Sequence, residues 1–183
     1  MKIKSSEKKL NNKGFSLIEL IVVIAIMVAL VGAVFASSSI LDGSYVRDAE
    51  SGIKDYITMA RSKSMSVAAK EWYMTITKDG DMYVARLCKT TKDGEDEVIT
   101  IVDEQELGKK VDITFGKGAS MTHIDSTVDL KIYFDRSTGK VDKVVVGGIE
   151  QDKTGGIGYI GVTCGTYEIT MKVFYNTGKC ERE

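Results

Sequence analysis

From Leu20 to Leu41 the chain carries no charged side chain, a run of 22 positions (20 through 41). A helix needs about 20 apolar residues to cross the hydrocarbon core of a bilayer, so the run predicts a membrane-spanning helix. Glu19 stands at its start, between Leu17-Ile18 and Leu20. An ionisable side chain in such a segment costs roughly 2.5–3.5 kcal/mol on insertion scales, which makes Glu19 a functional position by default. Residues 1–14 hold Lys2, Lys4, Lys8, Lys9 and Lys13 against Glu7, a net charge of +4. Basic flanks stay on the cytoplasmic side, so the chain beyond Leu41 is expected outside the membrane. An ordinary secretory signal, cut near Ala36-Ser37-Ser38-Ser39, is the competing reading, and it leaves Glu19 unexplained.

The stretch Lys13-Gly14-Phe15-Ser16-Leu17-Ile18-Glu19, with the apolar run behind it, resembles the class III signal of type IV pilins and pseudopilins. That signal has a short basic leader, Gly at the cleavage point, Phe after it and Glu at the fifth position of the mature chain. The resemblance implies that a prepilin peptidase cuts between Gly14 and Phe15. It implies N-methylation of the new Phe15 amine and a need for Glu19 in assembly. A carboxylate buried in a bundle of identical helices is tolerable only when paired. The partner implied is the Phe15 amine of a neighbouring subunit. Other pilins, the inner-membrane assembly platform and, before assembly, membrane lipid complete the implied partners. No cofactor is implied.

Composition narrows the remainder. Removing five lysines and one glutamate with the leader from totals of 25 basic and 26 acidic residues leaves 20 against 25, a balance of −5. That is a poor fit to nonspecific nucleic-acid binding, which neutralises phosphates with Lys and Arg. There is no proline. Many pilins carry one near mature position 22, which by count is Ala36 here, so the first helix is expected without a proline kink.

After Leu41 the pattern becomes amphipathic. Val46, Ala49, Ile53, Tyr56, Ile57, Ala60, Ser64, Val67 and Ala68 recur at spacings of three and four, opposite Arg47, Asp48, Lys54, Asp55, Arg61 and Lys63. The helix is therefore expected to continue to about Ala69. Phe15 to Ala69 is 55 residues, roughly 80 Å of helix. Gly43 and Gly52 each weaken it by about 1 kcal/mol relative to Ala, and Asp42-Gly43-Ser44 marks a soft point.

Beyond Lys70 the period becomes two. Glu71–Thr77 and Met82–Thr90 flank a turn at Asp79-Gly80, and Asp93-Gly94 leads into Val98–Val102. Val111–Phe115 follows; Val128–Phe134 and Val141–Val146 flank Asp135–Gly139. The glycine cluster from Gly147 to Gly161 reads as a loop around one short strand. Tyr167–Tyr175 is a strong β run. The fold class expected is α+β, a long helix on an antiparallel sheet or two. Its parts are a leader at 1–14, a membrane and polymerisation helix at 15–41, and an exported domain at 42–183. Within the exported domain, helix is expected to about 69 and sheet from about 71.

The exported part also resembles the GspH/FimT-like minor pseudopilins. Ala60, Arg61 and Ser62 match the helix exit of that family, Phe134 and Gly139 a strand–turn motif, and Gly178 and Lys179 its final strands. FimT-like proteins that bind DNA use a basic tail after the last glycine. Here the tail is Lys179-Cys180-Glu181-Arg182-Glu183, with net charge zero.

Other candidate chemistry is sparse. Cys88, Cys164 and Cys180 fall on the exported side, where disulfides persist. Cys164–Cys180, flanking one β run, is the favoured bridge and would add about 3 kcal/mol; three buried free thiols are the alternative. Asp79, Asp81, Asp93, Glu95 and Asp96 do not fit a calcium loop and read as solvated turns. His123 has no ligand-spaced partner, Asp125 offers it a local hydrogen bond, and Trp72, Tyr73 and Tyr83 read as core and cross-strand residues. The sequence therefore points to a structural subunit, a minor pilin or pseudopilin, rather than an enzyme. A tip-located adhesin or a DNA-binding minor pilin for DNA uptake is the alternative.

Overall fold

The computed structural model describes residues 16–66, 71–93, 96–118 and 120–183, with side chains at 33–40, 92, 93 and 96 outside the description. Helix α1 spans Leu17–Ser66. The strands described after it are β1 Glu71–Asp79, β2 Met82–Asp93, β3 Asp96–Gly108, β4 Asp112–Lys117, β5 Ser120–His123, β6 Leu130–Phe134, β7 Val141–Val146, β8 Ile149–Glu150, β9 Ile157–Cys164, β10 Tyr167–Phe174 and β11 Lys179–Arg182. The chain divides into two units, Met1–Ser38 and Ser39–Glu183, and α1 contributes to both.

The strands of the second unit form two antiparallel sheets. The first has the order β3-β2-β1-β6-β7-β8 and the second β11-β10-β9-β4-β5. The expected α+β class and the hairpins at Asp79–Met82, Asp93–Asp96 and Asp135–Gly139 are all formed. Residues 94 and 95 of the second turn lie outside the description.

One apolar cluster joins helix and sheets. Val46, Ala49, Ile53, Tyr56, Ile57 and Ala60 of α1 are buried with Met74 and Ile76 of β1, Ile132 of β6, Ile160 and Val162 of β9, and Met171 of β10. The three-and-four spacing puts all six helix residues on one stripe, and the alternation along each strand turns one face to that stripe. Tyr73 stacks on Tyr133 across β1 and β6 with ring centroids 4.6 Å apart. Tyr83 is buried, and its hydroxyl donates to Asp112 Oδ1 at 2.9 Å or to the Ile124 carbonyl at 2.7 Å. The aromatic residues expected in the core are core.

The described part of α1 runs to Ser66, and the rest of its expected reach, Val67, Ala68 and Ala69, lies outside the described residues. Other expectations need correction. The glycine-rich stretch holds a full central strand, β9, which pairs β10 on one side and β4 on the other. The tail after Gly178 is a strand, β11, held to β10 with Val173 opposite Cys180. The Cys164–Cys180 bridge is not formed, and all three cysteines are free. Cys164 lies opposite Tyr167 at one end of β10, whereas Cys180 lies opposite Val173 on its other side. A strand and six residues of register separate them, far beyond the roughly 7 Å between Cα atoms that a disulfide spans.

Candidate functional site

The site begins with the first turn of α1. Ser16 is the last non-helical residue, and its Oγ accepts from the Ile18 amide at 3.3 Å. Glu19 returns the contact: its Oε2 accepts from the Ser16 backbone N–H at 3.0 Å. Ser-x-x-Glu with reciprocal side-chain bonds is a capping box, which satisfies amides that have no partner inside the helix. The carboxylate also sits where the helix dipole favours negative charge. Glu19 is thus tied to its own chain before any neighbour is present. Ser16 and Glu19 stand at the Ser-x-x-Glu spacing of such a box, a signal that the sequence carries at the head of the apolar run.

Behind the cap the helix is apolar on every side. Leu17 is 76% exposed, Met27 60% and Val31 55%, and the large side chains between them are likewise exposed. A surface helix of a water-soluble domain shows one apolar stripe; an apolar surface all round belongs to a helix meant for burial in lipid or among other helices. Among the described residues no helix is long and apolar enough to cross a membrane. The run from Leu20 to Leu41 passes through 33–40, whose side chains lie outside the description.

The residues singled out farther along fall in two groups. Arg61, Gly139 and Gly178 come together near the C-terminal end of α1. Arg61 Nε donates to the Gly139 carbonyl at 3.0 Å, and a Cβ on Gly178 would lie 2.1 Å from that same oxygen. Ala60 and Phe134 are buried. The charges near the carboxyl terminus pair at the surface: Lys172 lies 3.0 Å from Glu183, and Arg182 lies 3.8 Å from Glu50 of α1.

The others stay apart. His123 Nδ1 lies 2.9 Å from Asp112 Oδ2, so its partner is Asp112 and not Asp125, whose carboxylate accepts from the Thr127 and Val128 amides instead. Asp79 pairs with Arg86 at 3.2 Å. Burial pushes the Cys180 thiol up to about 12 and shifts Cys88 and Cys164 upward, so none is poised as a nucleophile. Among the described residues no group of three His, Cys, Asp or Glu side chains could hold a metal ion. Gly14 and Phe15 lie outside the described residues.

The chain thus joins a capped helix start that is apolar all round to a unit in which the helix packs on two sheets. Residues 9–35 match the family model described as the prokaryotic N-terminal methylation motif. The chain therefore carries the class III signal of type IV pilin-like proteins. The motif supports a type IV pilin-like pilus or pseudopilus subunit, a structural class whose members generally assemble with other pilins after prepilin peptidase processing. No curated protein and no solved structure matches the chain.

Proposed function

We propose that this chain is a minor pilin or pseudopilin, of the GspH/FimT-like kind, in a type IV pilus or a secretion-type pseudopilus. The observation that carries the reading is the coincidence of the motif at residues 9–35 with a helix start whose first turn Glu19 closes. Cleavage between Gly14 and Phe15 leaves Phe15 as the new amino terminus, one residue before Ser16, and N-methylation follows there. The precursor is anchored in the cytoplasmic membrane by a single pass, with its leader in the cytoplasm. Residues 15–41 are the anchor and then the filament core, and residues 42–183 are displayed outside.

Assembly exchanges lipid contacts of the apolar helix for contacts with neighbouring helices on the assembly platform. Glu19 steers it. In the free subunit its carboxylate serves the Ser16 amide; in the filament it pairs with the Phe15 amine of the adjoining subunit and fixes the stagger between them. Opposite charges in such a low-dielectric setting attract far more strongly than in water. The meeting of Arg61, Gly139 and Gly178 supports the minor-pseudopilin subclass, because residues from three separate motifs of that resemblance serve one packing point.

The test is processing. The full chain is produced with and without a prepilin peptidase, and its mass is followed. Loss of residues 1–14 in the wild type and their retention in Gly14→Val is expected. A wild type that keeps its leader, or is cut beyond Ala36, ends the reading.

A further inference from the structure

The free flank of β3 is an interaction surface that the filament reading does not use. Of the large apolar side chains exposed on the two sheets, among the described residues, Ile149 stands alone. The other four lie together on β3: Val98 is 47% exposed, Ile99 61%, Ile101 51% and Val102 45%. β3 is the edge of its sheet, hydrogen-bonded to β2 on one side in a register that shifts at Val102, between Ile101 and Asp103, with no described strand on the other. An edge of this kind offers a row of unpaired backbone donors and acceptors, and an extended segment can add to it as another strand.

The sequence of the edge says what that segment is. Asp96-Glu97-Val98-Ile99-Thr100-Ile101-Val102-Asp103-Glu104 reads the same by chemical class in both directions about Thr100. A second copy laid antiparallel about Thr100 would match Ile99 with Ile101 and Val98 with Val102. It would also set Glu97 against Asp103 at each end. A parallel copy in register would set each acid against itself. Like charges directly opposite are destabilising, so the acids disfavour a second copy against this edge. Glu104 is already held by Arg86 at 3.0 Å, Glu97 stands opposite Lys92 of β2, and Asp103 Oδ1 accepts from the Glu104 amide at 3.0 Å; Glu97 and Asp103 remain the exposed acids that bracket the apolar centre.

We infer that the β3 edge takes an extended segment of another protein by strand addition, one with a short apolar centre bracketed by Lys or Arg. Backbone pairing and the apolar side chains supply affinity, and the bracketing acids choose the partner. The inference does not rest on the pilin reading.

The experiment uses the full chain in uncharged detergent micelles and two labelled peptides. Each has Val-Thr-Ile-Thr-Val at its centre; one has two lysines at each end, the other two glutamates. The lysine peptide is expected to bind, with a strand signature in its isotope-edited amide band. The glutamate peptide is expected to bind about tenfold or more weakly, since each end meets a like charge. The double variant Glu97→Lys, Asp103→Lys should reverse the preference, and Ile99→Lys with Ile101→Lys should abolish both, with circular dichroism checking the fold of each. Equal binding of the two peptides, no binding to the wild type, or lysine-peptide binding without the strand signature would each overturn the inference. So would cross-linking of β3 to β3 between copies, which would make a second copy the occupant; failure to bind would leave the acids as guards against aggregation only.

Discussion

Arg61 Nε donates to the carbonyl of Gly139 at 3.0 Å, across 78 positions of the chain. Gly178 closes over the same carbonyl with φ +65°, where an L side chain is strained and where a Cβ would meet that oxygen at 2.1 Å. Gly178→Ala should therefore destabilise the unit from Ser39 to Glu183 by more than the roughly 1–2 kcal/mol of a left-handed residue alone. Arg61→Ala, which leaves the Gly139 carbonyl without its donor, should cost about 1–3 kcal/mol. Urea unfolding of a fragment from Ser39 to Glu183 measures both, and a Gly178→Ala protein as stable as wild type would refute the packing described.

The capping box separates two roles of Glu19. Glu19→Gln keeps an acceptor for the Ser16 amide but no charge, and Glu19→Val keeps neither. If the charge steers assembly, both variants should be absent from sheared filaments while both stay membrane-associated. Incorporation of Glu19→Gln at the wild-type level would reduce Glu19 to a helix cap.

Tyr83 gives a pH prediction. Burial first, and then its bond to Asp112, push its hydroxyl from the ordinary 10.0 up to about 12. The neutral phenol is the form the fold holds. Stability from this group is complete below pH 10, where the unfolded chain is also neutral, and is lost as pH rises toward 12. Tyr56, Tyr133 and Tyr175 shift the same way, each mainly through burial. The domain should unfold cooperatively in alkali within that window, with phenolate absorbance and loss of circular dichroism changing together. Phenolate appearing at the ordinary value without unfolding would contradict this burial.

Ile57 is 1% exposed in the seam between helix and sheets. Ile57→Asp puts an unpaired carboxylate there and should cost several kcal/mol, about 2–5, enough to abolish the folded fragment. Proteolysis of the fragment reads this out.

The free thiols are equally open to test. Alkylation of the denatured, unreduced chain should add three labels, and the native chain at neutral pH should label slowly, because each thiol is buried or shifted upward. A single label in denaturant would restore a bridge.

The helix and its stripe were legible because Ile53, Tyr56, Ile57 and Ala60 repeat at the helix period and all four are buried. The hairpins were legible because Asp-Gly pairs interrupt alternating runs. β9 was not, because its Gly158 and Gly161 look like turn residues. They are glycines for room: a Cβ on Gly158 would lie 2.3 Å from the Tyr175 hydroxyl, and one on Gly161 2.6 Å from Thr114 Oγ1. β5 and β11, Ser-Met-Thr-His and Lys-Cys-Glu-Arg, have too few apolar residues to show a period and owe their place to the strands beside them. β3 runs on through Asp103 to Gly108, where acidic side chains hide the strand. Of the site, the place of Glu19 at the start of the apolar helix was legible in the sequence pattern, and cleavage between Gly14 and Phe15 remains part of the proposal.

Gly43 and Gly52 look like weak points of α1 in sequence. In the fold each is a notch: the Tyr167 ring would lie 3.3 Å from a Cβ on Gly43, and Leu107 Cδ2 2.8 Å from one on Gly52. A helix keyed at two places along its length cannot turn about its axis or slip lengthwise without driving a bulkier neighbour into Tyr167 or Leu107. Within the unit from Ser39 to Glu183 the two sheets therefore hold their helix as a collar holds a notched shaft.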